Sequence, residues 1–142
     1  MAYNQNNQPS MPAPVRISIR TLTPTLFSDD ARQAAQSCAA KEINKSTQLR
    51  RFYDELVMWH DKVYAKQDPA ARKLVFEQVR PYIQMLRAKV AYAMGRRLIN
   101  ENFRSLFDSI VGQIQTVEDL RNARLFMEAF MGFKKYFEEL SK

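Results

Sequence analysis

The stretch Ser46-Thr-Gln-Leu-Arg-Arg-Phe-Tyr-Asp-Glu-Leu-Val-Met-Trp-His-Asp-Lys-Val-Tyr64 decides the fold of this chain. Leu49, Phe52, Tyr53, Leu56, His60 and Val63 recur at steps of three and four, which gathers them into one apolar stripe on a helix. Arg51, Glu55, Met58, Lys62 and Lys66 fall on another face. A strand would alternate at a period of two, and this stretch does not. The spacing predicts an amphipathic helix from Ser46 to about Ala65.

Toward the C-terminus the pattern repeats. Asp68-Pro69 reads as an N-cap followed by proline at the first helical position. Leu74, Val75 and Val79 are the expected buried side of that helix. Pro81, which has no N–H to give, ends it, kinks it or starts the next segment. Ile83, Leu86, Val90 and Met94 carry the apolar period on to about Leu98. Phe103, Leu106, Phe107, Ile110 and Ile114 predict a further amphipathic helix, with Gly112 near its end. Thr116-Val-Glu-Asp119 opens the last helix in the manner of a capping box. Phe126, Met127, Phe130, Phe133 and Phe137 follow, and Leu125, Ala129, Met131 and Tyr136 widen its apolar surface to nearly all round. Such a helix is central or packs on another chain. Glu128 lies within that surface, so it is expected to pair with an Arg or Lys from another helix.

Toward the N-terminus, Ser28-Asp-Asp-Ala-Arg32 predicts a helix start with acids in its first turn, running to about Ala40. Residues 1–28 hold four of the six prolines and no acidic residue. Arg16-Ile-Ser-Ile-Arg-Thr-Leu-Thr23 alternates like a strand, but the chain offers no second strand for it to pair with. The expected organisation is therefore a flexible N-terminal arm over 1–28 and a helical domain over 29–142. The fold class is all-α, a compact bundle of four to six helices. Three glycines in 142 residues suit helices better than the many turns of a sheet.

Charge is distributed unevenly. The chain carries a net +7, and residues 41–97 hold thirteen Lys or Arg against six Asp or Glu. The flanking stretches are nearly balanced, at three against two and six against seven. A clustered surplus makes a local field that attracts polyanions such as nucleic acid. A solvated, solubilising face is the competing reading of the same charge. No apolar run approaches the ~18 residues of a membrane span, and the single cysteine, Cys38, suits a small buried helix residue in a reducing, cytoplasmic setting.

Catalytic material is sparse. A metal site needs clustered His, Cys or carboxylate ligands, and the chain has one His and one Cys. His60 belongs to the apolar stripe, which favours a packed, hydrogen-bonded histidine. Gly95, Gly112 and Gly132 stand apart, so they form no phosphate-cradling loop. Neither an enzyme nor a cofactor or metal is expected.

The basic segment instead places cations at helical spacing. Arg50 and Arg51 open the decisive helix, and Lys62 and Lys66 lie further along it. Lys89, Tyr92 and Arg96 share one helical side with Arg97 adjoining, while Arg80, Gln84 and Arg87 occupy another. Arginine suits phosphate because its planar fork donates two parallel hydrogen bonds, and contacts of this kind position a protein on a backbone without reading bases. The alternative use of Arg50 or Arg51 is a surface ion pair with Asp54 or Glu55, which contributes only a few tenths of a kcal/mol. The cations of this segment are expected to converge into one track.

Three blocks of the sequence resemble the Csm small-subunit family of type III-A CRISPR effector complexes. They are Ser46-Thr-Gln-Leu-Arg-Arg-Phe-Tyr-Asp54, Lys89-Val-Ala-Tyr-Ala-Met-Gly-Arg96 and Phe126-Met-Glu-Ala-Phe-Met-Gly-Phe-Lys-Lys-Tyr136, in the family's order. The chain departs from the family at Gly132, where alanine is usual. The resemblance implies a non-catalytic helical subunit stacked in several copies beside the backbone and large subunits of the effector. It would contact the duplex of guide RNA and target RNA through its phosphates, in antiviral defence. Arg50 or Arg51, Arg87 and Arg96 match basic positions of the family blocks. Lys62, Lys66, Lys89 and Arg97 are added from face geometry.

Other readings are the helical small subunit of a type III-B effector and a homodimeric helical scaffold without nucleic acid. A helix-turn-helix regulator lacks the short Gly-containing turn in the basic segment.

Overall fold

A computed structural model of the chain describes residues 16–142, so the first part of the expected arm lies outside the described residues. A π-helical turn over Leu26–Asp30 runs directly into α1 (Ala31–Ser37). There follow α2 (Ser46–Tyr64), α3 (Pro69–Gln84), α4 (Leu86–Gly95), α5 (Glu101–Gly112) and α6 (Val117–Leu140). No strand occurs among the described residues.

The start signals of α3 and α6 work as their chemistry predicts. The Asp68 carboxylate accepts from Ala71 N–H at 3.0 Å, with Pro69 next to it, where a missing N–H costs nothing. Thr116 Oγ1 accepts from Asp119 N–H, and the Asp119 carboxylate accepts in turn from Thr116 N–H, both at 3.1 Å. This reciprocal box satisfies amides that the helix itself cannot. Pro81 neither ends nor starts a helix. The break falls four residues later at Met85, whose backbone stays helical at φ −63° and ψ −21°. Thus α3 and α4 make one nearly continuous rod.

The core is built on phenylalanine. Phe76, Phe103, Phe107, Phe126 and Phe130 are buried, and Phe103 meets Phe107, Phe130 and the half-buried Phe52 at ring separations of 5.6–5.9 Å. The central element is α6, which packs on α1, α2 and α3. Its burial is one-sided near the C-terminus, where Tyr136 and Leu140 are exposed. The α2 stripe is inward as its spacing predicts: Leu49, Leu56 and Val63 are buried, and Phe52, Tyr53 and His60 half-buried. His60 stacks on Tyr64 at 4.5 Å and hydrogen-bonds Asp61 at 3.0 Å. Cys38 is buried, and that burial pushes its thiol up to about 11.

Four local expectations need correction. Residues 16–28, expected as arm, lie against the bundle from Arg16 on, with Ile17, Ile19 and Leu26 buried. The alternation of this segment is real, but side-chain amides replace the missing strand. Gln113 accepts from Ile19 N–H at 2.9 Å and donates to Ile17 C=O at 2.8 Å, and Asn122 donates to Ile19 C=O at 2.9 Å. Ser28 does not cap the first helix, because the chain is already turning at Thr25, whose carbonyl accepts from Asp30 N–H. In α3 the inward residues are Phe76, Val79 and Ile83, while Leu74 is 61% exposed.

Glu128 is also exposed and pairs with Arg124 of its own helix at 3.2 Å. The buried charge of α6 is Lys134, 3.6 Å from Glu138. Burial holds its ammonium below the usual lysine range. Glu138 accepts from Ser46 N–H and Oγ at 3.1 and 2.7 Å, so it closes the N-terminus of α2, where Lys45 supplies no side-chain cap.

Candidate nucleic-acid interface

Three contacts set α2 antiparallel to the α3–α4 rod. Asn44 N–H donates to Leu98 C=O at 3.2 Å, Lys89 pairs with Glu55 at 2.8 Å, and Trp59 stacks on Tyr82 with ring centroids 5.7 Å apart. Arg51, one turn before Glu55, therefore stands level with Tyr92, which is about one turn beyond Lys89. Lys62 is at the other end of the same α2 face, with its ammonium 5.9 Å from the Trp59 ring centroid.

The α4 end of this face is held by an amide clasp. Asn44 is buried with φ 58°, a conformation asparagine tolerates better than most residues. Its side chain donates to Cys38 C=O and Asn100 Oδ1 and accepts from Asn100 N–H, at 3.1, 2.8 and 2.9 Å. This joins the loop before α2 to the loop after α4. Arg97 lies in the second loop with φ 62°, at the left-handed position that commonly ends a helix and is most often glycine. Leu98 N–H closes that turn onto Ala93 C=O at 3.0 Å.

The eight basic residues singled out from the sequence do not form a single track. Arg51, Lys62, Lys89 and Arg96 share the α2–α4 face, Arg97 adjoins it at the clasped end, and Lys66 follows Lys62 just past the end of α2. Arg50 turns instead toward α6. It pairs with Asp54 at 3.7 Å and lines a hollow of about 440 Å³ with Tyr53, Glu128 and Lys135. Arg87 is on the α5 edge of α4, where its guanidinium meets the Asp108 carboxylate through two bonds of 2.9 and 3.3 Å. That partner holds its pKa above the ordinary value. Lys89 is engaged by Glu55. Among the described residues Arg51, Lys62, Lys66, Arg96 and Arg97 have no carboxylate partner within ion-pair distance.

The face also carries apolar groups that charge counting overlooks. Met58, Tyr82, Met85 and Tyr92 are about half exposed or more. Tyr82, Met85, Lys89, Tyr92 and Arg96 follow at steps of three, four, three and four, which makes one stripe along the rod. The signal was present in the sequence, but an apolar residue at helical spacing reads first as core. What separates the stripe from the core is that Leu86, Val90 and Ala93 take the inward side. A cationic face interleaved with aromatic rings can hold phosphates and offer planar apolar surface in the same place.

Among the described residues no group of three or more His, Cys, Asp or Glu is placed to hold a metal ion. No helix there is long and apolar enough to cross a membrane. A family model described as Csm2 Type III-A matches residues 22–139. No curated protein matches the chain. No solved structure matches it either.

Proposed function

Because this chain belongs to the Csm2 Type III-A family, and so is a small subunit of a type III-A CRISPR effector complex, we propose that it serves there as a non-catalytic RNA-binding subunit. In this reading several copies stack in the cytoplasm beside the backbone and large subunits. Each contacts the phosphate backbone of the guide and target RNA through its α2–α4 face. The observation that carries the reading is the cations on and beside this face that no carboxylate neutralises. Arg51 supports it most directly, because Glu55 at the pairing distance along α2 is already bound by Lys89 and by Trp59 Nε1.

Of the two adjacent arginines that match the family's basic position, this reading assigns the RNA contact to Arg51. Arg87 is assigned to the α4–α5 seam and Arg50 to the α6 side.

The test is the salt dependence of RNA affinity, measured on the free chain and on the assembled complex, where repeated copies add avidity. Counterion release gives a slope of roughly −0.7 per phosphate contact on a single strand. Replacing Arg51, Lys62, Arg96 and Arg97 together by Gln flattens that slope by roughly 3 and leaves the helical circular dichroism unchanged. Equal slopes for wild type and variant in the assembled complex would refute the assignment.

A further inference from the structure

We propose that Tyr92, with Arg96 beside it, is a stacking platform for an unpaired nucleotide, so that the α2–α4 face takes single-stranded RNA by its bases as well as its phosphates. This rests on the RNA-binding reading above and narrows it.

Tyr92 is 66% exposed and has no aromatic partner among the described residues. The ring is nonetheless anchored, since Arg96 Nη1 donates to its hydroxyl at 3.2 Å. The Arg96 guanidinium stands 5.8 Å from the ring centroid, whereas Arg72 comes to 4.3 Å over Tyr64 and covers it. Arg96 thus steadies Tyr92 without closing its face. Tyr82, ten residues earlier, is a second ring held on one side and open on the other. Trp59 covers one side of its ring, and 52% of the residue remains exposed. Ten residues of helical rod separate the two platforms by about 15 Å, with Lys89 between them.

Charge decides the partner. A second copy of this chain would need free carboxylates to meet the cationic rim. Glu77, Glu101, Glu128, Glu138 and Glu139 are each already paired with a basic side chain one turn away. The carboxylates without a basic partner, Asp29, Asp30, Glu42, Asp68 and Glu118, are spread over the π-helical turn, two loops and the start of α6 in a chain of net charge +7. Phosphates meet that rim directly. The exposed rings decide the strandedness. A duplex keeps its bases stacked on one another and offers a helix face only sugars and phosphates, whereas an unpaired base can lie on an aromatic ring.

The experiment uses the full chain and one RNA sequence, free or annealed to its complement, carrying a single 5-bromouridine. Anisotropy reads affinity, and ultraviolet cross-linking with peptide mapping reads stacking. The expected result is tighter binding of the free strand and a cross-link on Tyr92. Tyr92→Leu weakens the free strand about tenfold and leaves the duplex unchanged, while Tyr92→Phe keeps wild-type affinity within about twofold, since a phenyl ring still stacks. Wild-type binding by Tyr92→Leu, with no cross-link on Tyr92 in the parent, overturns the proposal while RNA binding itself stands. Loss of self-association with RNA binding intact assigns the face to a second copy and also overturns it. No binding of either RNA form, alone or in the assembled complex, removes both this proposal and the reading beneath it.

Discussion

The α2–α4 face and α6 carry similar sets of basic residues and put them to opposite ends. On α6 and just beyond it, Arg124, Lys134, Lys135 and Lys142 each hold a glutamate about one turn away, at 3.2, 3.6, 3.0 and 3.2 Å. The charge there is cancelled locally. On α2, Arg51 has Glu55 at the same spacing, but Glu55 is drawn away by Lys89 from across the groove. A cation of α4 thereby frees a cation of α2. Spacing along one helix permits an ion pair, and the neighbouring helix decides whether it forms.

The comparison breaks most strongly at Glu138. Glu138→Gln removes the partner of buried Lys134 and weakens the capping of α2, and should cost about 2 kcal/mol in denaturant unfolding while leaving RNA affinity alone. Hydrogen bonds from Ser46 hold the Glu138 carboxyl below its ordinary 4.5. A depressed folded-state pKa contributes stability that is complete above 4.5 and is lost as pH falls through the lowered value. The gap between wild type and variant should therefore close in acid. A gap that persists there would show that Glu138 acts through packing instead.

Lys89→Met comes next. Lys89 is already neutralised by Glu55 and makes no phosphate contact of its own, but its loss returns Glu55 to Arg51, so the salt slope should fall by roughly 0.7, one contact. An unchanged slope would mean that Glu55 does not move back. The smallest effect is expected at Gly132→Ala. A Cβ built there meets nothing within 4 Å, so the gain is the ordinary helix preference of alanine, roughly 0.5–1 kcal/mol seen as a raised Tm.

The helices were legible in the sequence because their signals are local. Asp68-Pro69 and the Thr116–Asp119 box act within four residues, and the α2 stripe needs only its own periodicity. Residues 16–28 were not, since Ile17 and Ile19 are held by Gln113 and Asn122, about a hundred positions away. Glu128 was misread because an apolar neighbourhood in sequence does not fix which side of a helix faces in. The site was half legible. Lys89, Tyr92 and Arg96 announce a shared side, and the Arg50–Asp54 pair is one of the two uses its spacing allows, yet the pairing of Arg87 depends on Asp108, 21 positions away.

The clasp between Asn44 and Asn100 bears on how the binding experiments read. It is amide against amide, and neither partner ionises or draws counterions. Ionic strength and proton activity leave that hinge untouched, so the arginines next to it keep their station across a titration. Affinity lost in concentrated electrolyte then reports ion exchange at the protein's surface, not slackening of its frame.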